Sequence, residues 1–166
     1  MKKIDAKATV YFNQDYFELC TMSQGMLAYA EPSASPHYLP PDVDDATLGR
    51  TLRIALAASK RVSVEEFQKI FQSGVVQQLG KDRDAWAMKQ YGYKTKRAMY
   101  RKMNCCWISV SDGQIEVAPA HHKTIDGYTA NKTDGPFPLY VAETVSDAEL
   151  GAALREGFMR CTSAIA

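Results

Sequence analysis

The chain has 166 residues, 20 Lys and Arg against 19 Asp and Glu, 46% hydrophobic residues and four cysteines. That length suits one domain, and the even charge removes the global argument for nucleic acid or an anionic membrane as partner. There is no apolar run of about 18 residues, no signal-peptide core and no disulfide framework among Cys20, Cys105, Cys106 and Cys161, so a reduced, cytoplasmic protein is expected.

In chain order, 8–12 and 16–21 are rich in β-branched and aromatic residues, with Asn13, Gln14 and Asp15 between them as a turn; this predicts a hairpin. From Ser23 to Pro41, Gly25, Pro32, Pro36, Pro40 and Pro41 predict an irregular connection, with Tyr38 and Leu39 as a short edge strand. A helix is expected from about Asp45 to Lys60, Lys60 and Arg61 meeting its exposed carbonyls. Ser63 and Glu66 form a capping box for a second helix, with Val62 and Phe67 as its hydrophobic staple, a stripe of Phe67, Ile70 and Phe71, and Gly74 as its stop. A third helix is expected over 84–91, ended by Gly92, and a short cationic one over 96–103, capped by Thr95.

The clearest strand signal follows. The pair Asp112 and Gly113 provides the positive φ angles of a type I′ turn, placing Val110 opposite Ile115 and Ile108 opposite Val117 on one buried side. Cys105 and Cys106 point to opposite faces of that strand. Pro119 closes the next strand, 121–135 reads as polar and turn-rich, and 138–142 is a last strand.

That strand leads into a helix which the chain contains twice. Val43, Asp45, Ala46, Leu48, Gly49, Leu52 and Arg53 recur as Val145, Asp147, Ala148, Leu150, Gly151, Leu154 and Arg155. Asp44 and Ser146 are the caps, and Glu149 completes a capping box with Ser146. Leu56 and Phe158 extend the two apolar stripes. Glycine in a helix costs roughly 1 kcal/mol relative to alanine, so Gly49 and Gly151 imply close approach of another backbone. The copies lie 102 residues apart, too far for a solenoid. The fold class is therefore α+β: one domain spanning 1–166, a mainly antiparallel sheet with packed helices, and two related strand-helix segments.

Candidate chemistry is sparse. His121 and His122 have no metal-ligand spacing around them and read as solvated loop residues; no metal and no cofactor is expected. The cysteines lack a nucleophile motif, so no catalytic residue is assigned and an enzyme is not expected. Phosphate-binding glycine runs are absent. The segment from Tyr91 to Lys102 interleaves tyrosines with cations, a pattern that either stacks single-stranded nucleic acid or forms a wet helix face over packed tyrosines.

That same segment through Met103, followed by a Cys-containing strand, an Asp-Gly hairpin, Ala118 and Pro119 ahead of His121 and His122, and the terminal repeat helix, resembles the CdiI immunity proteins of bacterial contact-dependent growth inhibition. The resemblance covers roughly 38–166, including the earlier repeat helix. It implies a cytoplasmic protein that catalyses nothing and blocks the C-terminal toxin domain, commonly a nuclease, of a cognate CdiA effector. Under it, the acidic run Asp42, Asp44 and Asp45 is the candidate decoy for a polyanion-binding toxin, with helix capping and solvation as the competing role. Tyr93, Lys94 and Lys96 are the second candidate contact, with a structural turn as theirs. Neither direct nucleic-acid binding nor a membrane is expected; the alternative function is an RNA-binding or regulatory module using Tyr91 to Lys102.

Overall fold

In the computed structural model, which describes residues 3–130 and 133–166, the Asp-Gly hairpin forms in the expected register. Asp112 and Gly113 have φ of 51° and 75°, joining β5 (Asn104–Ser111) to β6 (Gln114–Pro119). Val110 faces Ile115 and Ile108 faces Val117, and all four are buried. The N-terminal hairpin pairs β1 (Ala6–Phe12) with β2 (Phe17–Gln24), Gln14 taking the positive φ in its turn.

β1 also pairs with β5, which merges the two hairpins into one antiparallel sheet. β3 (Ala28–Ala30) and β4 (His37–Leu39) line the far edge of β2, and β9 (Leu139–Ala142) closes the other side against β6. The supposedly irregular stretch after Ser23 thus holds two short edge strands, of which the Tyr38 and Leu39 strand was expected. Residues 121–129, expected to be turn-rich, also contain two strands. β7 (His121–Thr124) and β8 (Gly127–Thr129) form a small antiparallel pair, and β10 (Thr162–Ser163) joins β7 in parallel.

The two repeat helices, α1 (Asp45–Ala57) and α5 (Asp147–Arg160), cover one face of the large sheet. Their stripes Leu48, Leu52, Leu56 and Leu150, Leu154, Phe158 meet Ala8, Val10, Leu19, Cys106 and Ile108 in the main core. Both expected caps form: Asp44 accepts from the Thr47 N–H and Ser146 from the Glu149 N–H. α1 ends three residues before Lys60, so Lys60 and Arg61 serve instead to tie the chain to Gln24 at the sheet edge.

The glycines do what their cost implied. A methyl group on Gly49 would collide with the Asp147 carbonyl, and one on Gly151 with the Asp45 carbonyl. The helices therefore cross antiparallel about a local two-fold, each first turn resting on the other's glycine. Arg53 Nε donates to Asp147 Oδ1 at 2.9 Å and Arg155 Nε to Asp45 Oδ1 at 2.8 Å. Each guanidinium also donates to carbonyls ahead of the opposite helix, Arg53 to Glu143 and Val145, Arg155 to Pro41 and Val43. The recurring sequence pattern is a reciprocal lock written twice.

On the opposite sheet face lie α3 (Val75–Tyr91) and α4 (Lys96–Tyr100), while α2 (Val64–Ser73) packs Phe67 against Gly25 and Tyr29 at the sheet edge. Ser63 caps α2, Gly74 ends it in the left-handed conformation, and Thr95 caps α4. α3 starts directly after Gly74, nine residues before the expected Asp84, because a single left-handed glycine reverses the chain and requires no longer loop. α4 is shorter than expected, yet Met99 and Met103 are both buried, in a second core cluster with Tyr16 and Ala87. Covering on both faces explains why Cys105 and Cys106, on opposite sides of β5, are each buried.

Candidate functional site

The two nominated segments come to the same end of the sheet, around the β1–β2 turn. β4 runs antiparallel to β2 with Leu39 opposite Phe17, so the chain leaving it toward Asp42 passes the start of β2. The Tyr93 hydroxyl donates to Asp15 and accepts from Asn13 Nδ2 at 3.0 Å, both in the turn itself. Burial, then Asp15, pushes the Tyr93 phenol up to about 12.

Most of the nominated side chains have intramolecular work. Asp44 is the α1 cap, its carboxyl held below the ordinary range by hydrogen bonding from Thr47. Asp45 pairs with Arg155. Lys96 Nζ stands 3.6 Å from both Asp84 Oδ2 and Asp126 Oδ2 and 5.5 Å from the Tyr100 ring centre. Asp42 and Lys94 are exposed and make neither a hydrogen bond nor an ion pair among the described residues.

The aromatic residues of the Tyr91 to Lys102 segment turn inward. Tyr91 stacks on Tyr16 with ring centres 4.2 Å apart, and Tyr100 donates to Asp84 Oδ1 at 2.8 Å. With those rings packed, the stacking platform needed for single-stranded nucleic acid is not on the surface; the wet face over packed tyrosines is the observed arrangement.

Beside this tyrosine layer lies a groove of about 390 Å³ between α3 and the β3–β4 connection. Its walls include Tyr38, Val76, Leu79, Arg83, Trp86 and Pro36. Tyr38 and Trp86 pack at 4.4 Å between ring centres, which leaves Trp86 47% exposed. Behind them is a buried carboxylate, Glu18, whose Oε1 accepts from the Tyr38 hydroxyl at 2.7 Å. Burial raises its pKa, outweighing the opposing pull of the Tyr38 hydrogen bond and the Arg83 charge. Sequence reasoning missed this groove. α3 has no strong apolar stripe, so Trp86 and Arg83 carry no periodic signal. A second concavity, about 860 Å³, lies over the uncovered half of the sheet around Trp107, Met22 and Phe137.

His122 is not the solvated residue its neighbours suggest. It is buried, stacked on Tyr128 at 4.6 Å, and its Nε2–H donates to the Ile125 carbonyl at 2.8 Å. Its strand, β7, pairs with β8 on one side and β10 on the other. His121 Nδ1 instead meets Thr162 Oγ1 at 2.8 Å. Among the described residues, no cluster of three or more His, Cys, Asp or Glu side chains could hold a metal ion, and no helix is long and apolar enough to cross a membrane. All four thiols are free, Cys106 and Cys161 lying 3.9 Å apart through their sulfurs.

The sheet thus has one face locked by a repeated helix pair and the other bearing an aromatic groove. Residues 6–161 match the CdiI family, described as CDI immunity protein. The chain belongs to the CDI immunity protein family. It is 28% identical to immunity protein CdiI-YPIII of Yersinia pseudotuberculosis serotype O:3 (strain YPIII), over 94% of this chain and 95% of that protein. Among solved structures it is similar to a Neisseria meningitidis protein of unknown function, with a TM-score of 0.86, 28% identity and 94% of each chain covered. It is also similar to a chain of the CdiA-CT/CdiI toxin and immunity complex from Yersinia pseudotuberculosis, with a TM-score of 0.84, 25% identity, and 96% of this chain and 100% of that one covered.

Proposed function

We propose that this CDI immunity protein binds and neutralises the C-terminal toxin domain of a cognate CdiA effector in the cytoplasm of the cell it protects, and that the toxin is a nuclease. The observation that carries the reading is the full-length similarity to a chain from a CdiA-CT/CdiI toxin and immunity complex. Inhibition then requires no catalysis by this chain. It needs a preformed complementary surface of roughly 800 Å², and the doubly locked helix pair supplies the rigidity that keeps such a surface in shape without an ordering cost on binding. We assign rim contacts to Asp42 and Lys94, whose side chains are uncommitted, while Asp44, Asp45, Tyr93 and Lys96 hold the backbone that presents them.

The test is co-expression with the toxin domain encoded immediately upstream of this reading frame. Growth should be rescued, and the two chains should co-purify with nanomolar affinity. Failure of both rescue and co-purification defeats the reading. In cells expressing that toxin without its inhibitor, fragmentation of RNA or DNA is expected; intact nucleic acid during growth arrest would remove the nuclease assignment while leaving the immunity function.

A further inference from the structure

We propose that the toxin docks in the groove between α3 and the β3–β4 connection, with Trp86 as its apolar anchor and Arg83 pairing with a carboxylate of the toxin. This rests on the toxin-binding reading above and adds the surface and the chemistry of the segment it takes.

The charge pattern of the groove selects the occupant. Arg83 is half-buried against the groove, yet it makes neither a hydrogen bond nor an ion pair among the described residues. A guanidinium offers five donors in a fixed fork matched to a carboxylate. The carboxylates that line the same groove are already engaged: Asp82 accepts from Gln78 at 2.9 Å, and Glu31 accepts from Ser23 and Ser33 beside Lys60. Glu18 lies behind Tyr38 and feels the Arg83 charge without reaching it. Among the described residues the groove therefore presents a guanidinium whose donors are unused and whose charge is answered only at a distance by the buried Glu18; between apolar walls, the fitting partner is an apolar segment bearing an Asp, a Glu or a chain-terminal carboxylate.

Residue type and position agree with this. Trp, Tyr and Arg dominate the energetics of protein interfaces when they sit together at the centre of a patch. Trp86, Tyr38 and Arg83 are such a set, and the exposed Trp86 indole rests on a Tyr38 ring that is itself fixed by Glu18. The groove is also framed by the segments carrying the two uncommitted rim residues: β4 runs out to Asp42, and α3 ends just before Lys94. By contrast, in the concavity around Trp107, Glu116 is taken by Tyr140, and nothing there selects a partner.

The experiment is calorimetric titration of the full chain with the upstream-encoded toxin domain. Trp86→Ala and Arg83→Glu should each weaken binding by roughly thirtyfold or more. Arg83→Lys, which keeps the charge but loses the fork, should fall between these and wild type. Met159→Ala, on α5 across the sheet and 81% exposed, should stay within about twofold of wild type. Thermal melts should show every variant folded at the titration temperature, with Arg83→Glu melting lowest because it sets a second carboxylate near Glu18, and Arg83→Lys, which keeps the charge, close to wild type. Tight wild-type binding with Trp86→Ala and Arg83→Glu both within threefold would overturn the groove and leave the immunity function standing. No wild-type binding would overturn both. If Trp86→Ala abolishes self-association of the chain in sedimentation and leaves toxin affinity unchanged, the occupant is a second copy and the inference fails.

Discussion

The pair α1 and α5 and the pair α2 and α3 are held to the same sheet by different means. α1 and α5 bury Leu48, Leu52, Leu56, Leu150, Leu154 and Phe158, touch backbone to backbone at two glycines, and exchange two Arg–Asp pairs. α2 and α3 fully bury only Phe67 and Ala87, and leave Val64, Phe71 and Trp86 exposed. Apolar side chains locked in a core stabilise the fold and are unavailable to a partner. Those left at the surface of α2 and α3 contribute little to folding and remain free to be covered. One pair is scaffold; the other borders the groove proposed above as the docking site.

The largest expected effect tests that division directly. Leu154→Ala should destabilise the protein by about 2–5 kcal/mol through lost burial and a cavity between the helices and β5. Val64→Ala, at a site 57% exposed on α2, should change stability by about 0.5 kcal/mol or less. Both are read by chemical denaturation; equal losses at the two sites would erase the distinction.

A subtler contrast uses one substitution in both regions. Ala is the better helix former by roughly 1 kcal/mol, and at Gly80 in α3 an added methyl meets only the Arg83 guanidinium at an ordinary 3.7 Å. Gly80→Ala should therefore stabilise by about 0.5–1 kcal/mol. Gly49→Ala and Gly151→Ala should instead cost about 1–3 kcal/mol, because the methyl forces the crossing helices apart. The sign of the effect, not its size, is what separates a packing glycine from a tolerated one.

The smallest effect concerns Glu18 beneath the groove. Its pKa is raised in the folded protein, so the fold holds this proton more tightly than the unfolded chain does. By linkage, stability falls as pH rises from the ordinary carboxylate value through the raised folded value, and the full cost is present above it. Glu18→Gln keeps an acceptor for the Tyr38 hydroxyl and removes the charge. Its melting temperature should exceed wild type by a few degrees at neutral pH, with the gap closing as pH drops below the ordinary carboxylate range. A gap that does not vary with pH would show that no proton is linked to folding there.

Local chemistry made much of this fold legible in the sequence. Asp112 and Gly113 dictate a turn whose register follows from two residues alone. Asp44, Ser63, Thr95 and Ser146 cap helices because a side-chain oxygen meets an amide three positions on. The duplicated pattern around Gly49 and Gly151 announced a close backbone approach, since nothing else offsets glycine in two otherwise good helices. The family resemblance was carried by the order of such motifs.

What depended on distant partners was not legible. The sequence left Asp45 in an exposed acidic run, and only the crossing of α1 and α5 brings Arg155, 110 positions later, to take its charge. His122 is covered by Tyr128, whose ring also lies against Tyr11 of β1 and whose hydroxyl donates to the Met103 carbonyl, contacts no local pattern encodes. The tyrosines around Lys94 turned inward because Tyr16 and Asn13 from the first hairpin meet them. Turns, caps and close-packing glycines are decided within a few residues by sterics and hydrogen bonds; which charges end up answered, which rings end up covered, and where Arg83 and Trp86 stay open are decided only when elements far apart in the chain come together.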